Sequence, residues 1–109
     1  MHRVVNMTSV GIDTAQIETM KLEIRQELDK YSTYDAQVNN GQDEAGEPTL
    51  AVNADFRTAT EANEFHDWLR GYVSDRRDQF ASARTRVHDC YHAADQNRPC
   101  QIGDIWGLS

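Results

Sequence analysis

The chain has 109 residues, 18 of them acidic and 11 basic, for a net charge of −7 with 27% of the composition charged. That length supports one domain, residues 1–109, with a modest core of its own. The acidic balance argues against direct, sequence-independent nucleic-acid binding, which needs clustered cations to displace counterions, and no stretch reaches the roughly 18 apolar residues of a membrane span.

Residues 3–11 are β-branched and partly alternating, and Gly11 breaks the run, so a strand is predicted there. Asp13 stands three residues before Gln16 and opens a segment with Ile17, Met20, Ile24, Leu28 and Tyr31 on one face. This is the pattern of a capping box followed by a helix, placed at about 14–31. Tyr34, Ala36 and Val38 alternate with polar neighbours, and Asn39-Asn40-Gly41 then signals a turn. Leu50, Val52, Ala54 and Phe56 make a strand with one buried face, reached through a polar, acidic loop over 40–48.

Thr58 stands three residues before Glu61 and opens a second helix with Phe65, Trp68, Leu69, Tyr72 and Val73 as its core face. The expected end is near residue 80, although the spacing of Phe80, Ala83, Val87 and Tyr91 also fits a single helix running to about 95. Residues 87–92 alternate as a strand, 94–99 read as a turn, and 100–106 are expected to pair back as a hairpin strand. The order β-α-β-β-α-β predicts an α+β, split β-α-β (ferredoxin-like) sandwich: an antiparallel sheet, two helices on one face and a C-terminal hairpin extension. That plan hosts many unrelated activities, so function has to be argued from sites.

Charge is uneven along the chain. Residues 1–67 hold 13 acids and five bases, whereas residues 68–109 hold five acids and six bases. Carboxylates on the first helix (Glu18, Glu23, Glu27, Asp29), in the hairpin loop (Asp43, Glu44, Glu47) and early in the second helix (Glu61, Glu64, Asp67) are the candidate partner-binding residues. Spread as a stripe, they would imitate a phosphate backbone and occupy the groove of a basic, nucleic-acid-binding protein or complex. In size, charge and fold plan the chain is similar to phage-encoded inhibitors, including anti-CRISPR proteins. With every catalytic signature absent or badly spaced, a non-catalytic interaction protein with no cofactor is expected, of the inhibitor type that this likeness suggests. Self-association as a homodimer, which would cover the open sheet face, is the alternative for a regulatory or ligand-sensing module.

His88, Cys90, His92 and Cys100 are the one plausible metal set. Their types suit zinc, but the spacing H-x-C-x-H-x₇-C lacks the usual paired ligands, and strand neighbours two apart stand about 6.6–6.8 Å from one another. A Cys90–Cys100 disulfide, a cysteine nucleophile beside histidine, and two small buried apolar cysteines are the other readings, the last favoured. No P-loop, dinucleotide fingerprint, zincin or EF-hand motif occurs. Two cysteines without an export signal fit a reducing cytoplasm.

Overall fold

The computed structural model describes residues 2–90, with the side chains of His2 and Cys90 left aside. In chain order the elements are β1 (His2–Val10), a 3₁₀ turn (Thr14–Gln16), α1 (Ile17–Leu28), β2 (Thr33–Gln42), β3 (Pro48–Phe56), α2 (Ala59–Asp75), a second 3₁₀ turn (Arg77–Gln79) and β4 (Ser82–Cys90). The four strands form one sheet in the order β2-β3-β1-β4, antiparallel at every junction. α1 packs toward β2, and α2 toward β1 and β4.

Residues opposite one another in antiparallel strands share a face. Val5 therefore aligns with Ala54 and Val87, and Met7 with Val52, on the side of the helices. That face and the apolar stripes of α1 and α2 bury Met7, Met20, Ile24, Leu50, Phe56, Phe65 and Leu69. Inside this layer the aromatic rings run in a chain. Phe56 and Phe65 are 5.4 Å apart, Phe65 and Trp68 5.8 Å, and Trp68 and Tyr72 4.9 Å, with Tyr31 edge-on to Phe56 at 5.8 Å.

Local signals account for most boundaries. Thr58 Oγ1 accepts from Glu61 N at 3.2 Å, the expected cap of α2. Gly11 takes φ +73° where the chain leaves β1, and its N–H donates to Pro48 O at 2.9 Å. A left-handed residue here turns the chain out of β1, and a Cβ would stand 2.5 Å from Ala81 Cβ, so glycine is required twice over.

Four expectations need correction. Asp13 caps a 3₁₀ turn through Ala15 N at 3.0 Å, and α1 begins only at Ile17, ending at Leu28 before Tyr31. Asn39-Asn40-Gly41 is not a turn; it lies within β2, paired with Ala51, Leu50 and Thr49. The real turn is held by Asp43, whose Oδ1 accepts from Ala45 N and Glu47 N at 2.9 Å each, with Gly46 at φ +82°. α2 stops at Asp75 rather than near 80, because Arg76-Arg77-Asp78-Gln79 offers the core no apolar side chain. β4 then starts at Ser82, five residues before the expected strand, which removes the single long helix. Its alternation of half-buried Ala83, Thr85 and Val87 with Arg84 and Arg86 has the strand period from the outset. The hairpin expected over 94–106 lies outside the described residues, as do His92 and Cys100.

Candidate functional site: an acidic flank

Strand order turns the uneven charge of the sequence into an uneven surface. Residues 13–47, which build α1, β2 and the hairpin, carry nine carboxylates against three bases. β2 is one edge of the sheet and β4 the other. Toward the β4 edge, the second half of α2, the turn after it and β4 itself supply Arg70, Arg76, Arg77, Arg84 and Arg86. The molecule is strongly acidic on its α1–β2 flank, whereas from Trp68 to the end of β4 five arginines stand against three carboxylates, Asp75, Asp78 and Asp89.

The ten candidate carboxylates do not behave alike. Four are engaged inside the fold. Glu23 accepts from Tyr72 Oη at 2.9 Å and lies 3.7 Å from Arg76 Nη2, and Arg76 stacks 3.8 Å above the Tyr72 ring. That group fastens α1 to α2. Glu27, buried, pairs with Lys30 Nζ at 2.9 Å and accepts from Tyr31 Oη at 3.1 Å. Asp43 holds the hairpin turn. The Glu61 carboxylate accepts from Thr58 Oγ1 at 3.2 Å and from Ser32 N at 2.7 Å, tying the start of α2 to the residue before β2. Glu18, Asp29, Glu44, Glu47, Glu64 and Asp67 are exposed. Of these, Glu18 and Asp67 make only wide i,i+3 contacts, at 3.9 Å to Lys21 and 3.8 Å to Arg70. Exposed pairs of that kind are worth little.

The α1 carboxylates also part in direction. Glu23 faces α2, whereas Lys21, the partner of Glu18, reaches Asn40 of β2 at 2.8 Å. Helical geometry explains the split, since five residues are about 500° and put Glu23 far around the axis from Glu18.

These engagements set a pH dependence. Burial and the Glu27 carboxylate push Tyr31 from 10.0 up to about 12, and burial with Glu23 pushes Tyr72 higher too. A phenol whose folded pKa is raised favours the fold while protonated. Its contribution is complete below about pH 10 and lost as pH climbs through about 12. Urea midpoints measured at stepped pH are expected to fall across that window, and less so in Tyr31→Phe. Equal declines in both proteins would remove Tyr31 from this role.

The sheet face away from the helices holds a second polar group that spacing alone does not reveal. Asn6, Asn53 and Asp55 are buried there, with Val4. Asn6 Nδ2 donates to Asn53 Oδ1 at 2.7 Å, while Asn6 Oδ1 accepts no hydrogen bond among the described residues. His88 aligns with Val4 on this face, and burial, aided by Arg86 and Arg3, pushes its pKa down. Burial lowers that of His66 on α2 as well. The one sequence signal for the group is a polar residue set among apolar neighbours, Asn6 between Val5 and Met7, and Asn53 and Asp55 around Ala54.

His88 and Cys90 are two residues apart on β4, whereas His92 and Cys100 lie outside the described residues. Among the described residues no group of three or more His, Cys, Asp or Glu is placed to hold a metal ion. Among them, too, no helix is long and apolar enough to cross a membrane.

No protein-family model matches the chain, and no curated protein matches it. Solved structures do. A de novo designed protein, Foldit4, superposes with a TM-score of 0.68 at 11% identity, covering 83% of this chain and 99% of the design. A Nitrosomonas europaea protein described as an antibiotic biosynthesis monooxygenase gives 0.55 at 10% identity, over 84% and 92%. A dimeric ferredoxin-like protein from an uncultured marine organism gives 0.51 at 8% identity, over 83% and 94%. At such identities the likeness carries the fold and nothing finer. With four antiparallel strands and two helices in this order, the chain has the α+β, ferredoxin-like fold.

Proposed function

We propose that the protein is a non-catalytic interaction protein whose acidic α1–β2 flank docks on a basic, nucleic-acid-binding protein, in the manner of a phage-type inhibitor such as an anti-CRISPR protein. The observation that carries this reading is the segregation of charge. Nine carboxylates lie within residues 13–47, and Glu18, Asp29, Glu44 and Glu47 among them are exposed. A one-signed surface steers an oppositely charged partner and suppresses association with like-charged ones.

The internal engagements decide how to test it. Replacing Glu23 or Glu27 would disturb the helix pair and confound binding with stability. Glu18→Gln, Asp29→Asn, Glu44→Gln and Glu47→Gln leave every short hydrogen bond described above intact. Wild-type protein immobilised in native-host lysate at low salt is expected to retain a basic, nucleic-acid-binding partner that elutes as ionic strength rises past about 0.15 M. The fourfold variant is expected to bind that partner at least about tenfold more weakly with its unfolding midpoint unchanged. Retained affinity in the variant, or a salt-insensitive partner, discards the reading.

Self-association is the second reading. The face away from the helices presents half-buried Thr8, Val10, Thr49 and Ala51, and one protein of the same fold is described as dimeric. Light scattering of the purified chain separates a homodimer from a monomer that needs another protein.

A further inference from the structure

A cleft of about 580 Å³ runs between α2 and the edge strand β4, on the opposite flank from the acidic surface. Arg70 and Ser74 stand at i and i+4 on α2, and Arg77, in the 3₁₀ turn that follows the helix, lines the same cleft. Ala83 and Thr85 of β4 form the facing wall. A smaller hollow of about 260 Å³ shares Val73, Arg77 and Ala83 and lengthens the cleft toward Phe80.

Gly71 lines this cleft, inside a 17-residue helix. Glycine within a helix is unfavourable, and here neither backbone nor packing requires it. Its φ is not left-handed, and a Cβ would meet nothing within 4 Å. What the missing side chain does is keep the space beside Arg70 and Ser74 empty. Half of the lining residues carry hydrogen-bond donors, two guanidiniums and two hydroxyls, with Asp67 drawn to Arg70 at 3.8 Å on the rim. Arginine with hydroxyl donors is the chemistry that grips phosphate oxygens, and the volume lies within the range of small-molecule sites.

We propose that the α2–β4 cleft binds a small phosphate-bearing anion, clamped between Arg70 and Arg77 over Gly71. This site is independent of the acidic flank and remains whether or not a basic partner docks there.

The test is an amide NMR titration of the full chain with pyrophosphate. Citrate serves as the carboxylate arm, and chloride at matched ionic strength as the control. Saturable shifts confined to residues 70–77 and 82–86, stronger with pyrophosphate than with citrate, are expected. Arg77→Gln is expected to weaken binding about tenfold. Gly71→Leu, which fills the cleft with a good helix former, is expected to abolish it while the spectrum stays folded. Three results would overturn the proposal: shifts no larger than with chloride, citrate binding as well as pyrophosphate, or undiminished binding in both variants.

Discussion

Replacing Phe65 by alanine is expected to cost about 3–5 kcal/mol of folding stability, the range for deleting a large aromatic from a packed core. Phe65 is 0% exposed, and its ring lies 5.4 Å from Phe56, 5.9 Å from Tyr31 and 5.8 Å from Trp68. Phe56 is fixed in a central strand paired on both sides, so it cannot move in to fill the hole. Trp68 and Tyr72 are stacked on each other along the same helix and are similarly held. A domain of this size is stable by only about 5–15 kcal/mol, so the loss is a large fraction of the total. Urea denaturation should show a lowered midpoint with an unchanged m-value. Leu22→Ala, at a position 58% exposed, is the control and should change stability by less than about 0.5 kcal/mol. A loss below about 1.5 kcal/mol at Phe65 would mean that the ring is not central to the core.

One substitution made at three glycines is expected to give three different results. Gly11→Ala should destabilise by about 2–4 kcal/mol, because a left-handed backbone penalty of about 1–2 kcal/mol adds to an overpacking cost. Both contributions are in the structure, as φ +73° and the 2.5 Å approach to Ala81 Cβ. Gly46→Ala keeps the first and lacks the second. Its φ is +82° with nothing within 4 Å, and about 1 kcal/mol should be lost. Gly71→Ala has neither, and should gain about 0.5–1 kcal/mol from helix propensity. Thermal and urea unfolding of the three variants gives the order directly. If Gly11→Ala proves no worse than Gly46→Ala, the chain does not pass Ala81 as closely as described.

The two helices and the inner strands were legible because each buries one face, and burial imposes a period. Met20, Ile24 and Leu28 mark the first helix, and Leu50, Val52, Ala54 and Phe56 the third strand. Where burial is slight, the period misleads. Asn39 and Asn40 lie exposed on an edge strand, so their turn-forming chemistry was free to be ignored. Phe80, Ala83 and Val87 are only half-buried and keep helix spacing across the boundary that Arg76–Gln79 sets, while the four-residue step from Ala83 to Val87 fits a strand as well.

The candidate site divides the same way. Glu27 meets Lys30 and Tyr31 three and four residues on, a pairing readable from helix geometry. Glu23 meets Tyr72 and Arg76 only because α1 lies beside α2, and no local pattern contains that. The α2–β4 cleft likewise exists only once strand order puts Ala83 and Thr85 beside Gly71.

The unequal charge of the two flanks gives the described residues an electric dipole across the sheet. An overall charge of −7 would suggest that cation-exchange resins repel it and anion-exchange resins hold it uniformly. The uneven distribution biases its orientation at such a surface, with the α1 side expected to turn toward a cationic matrix. Immobilisation chemistry therefore selects which half of the protein is left available to solution.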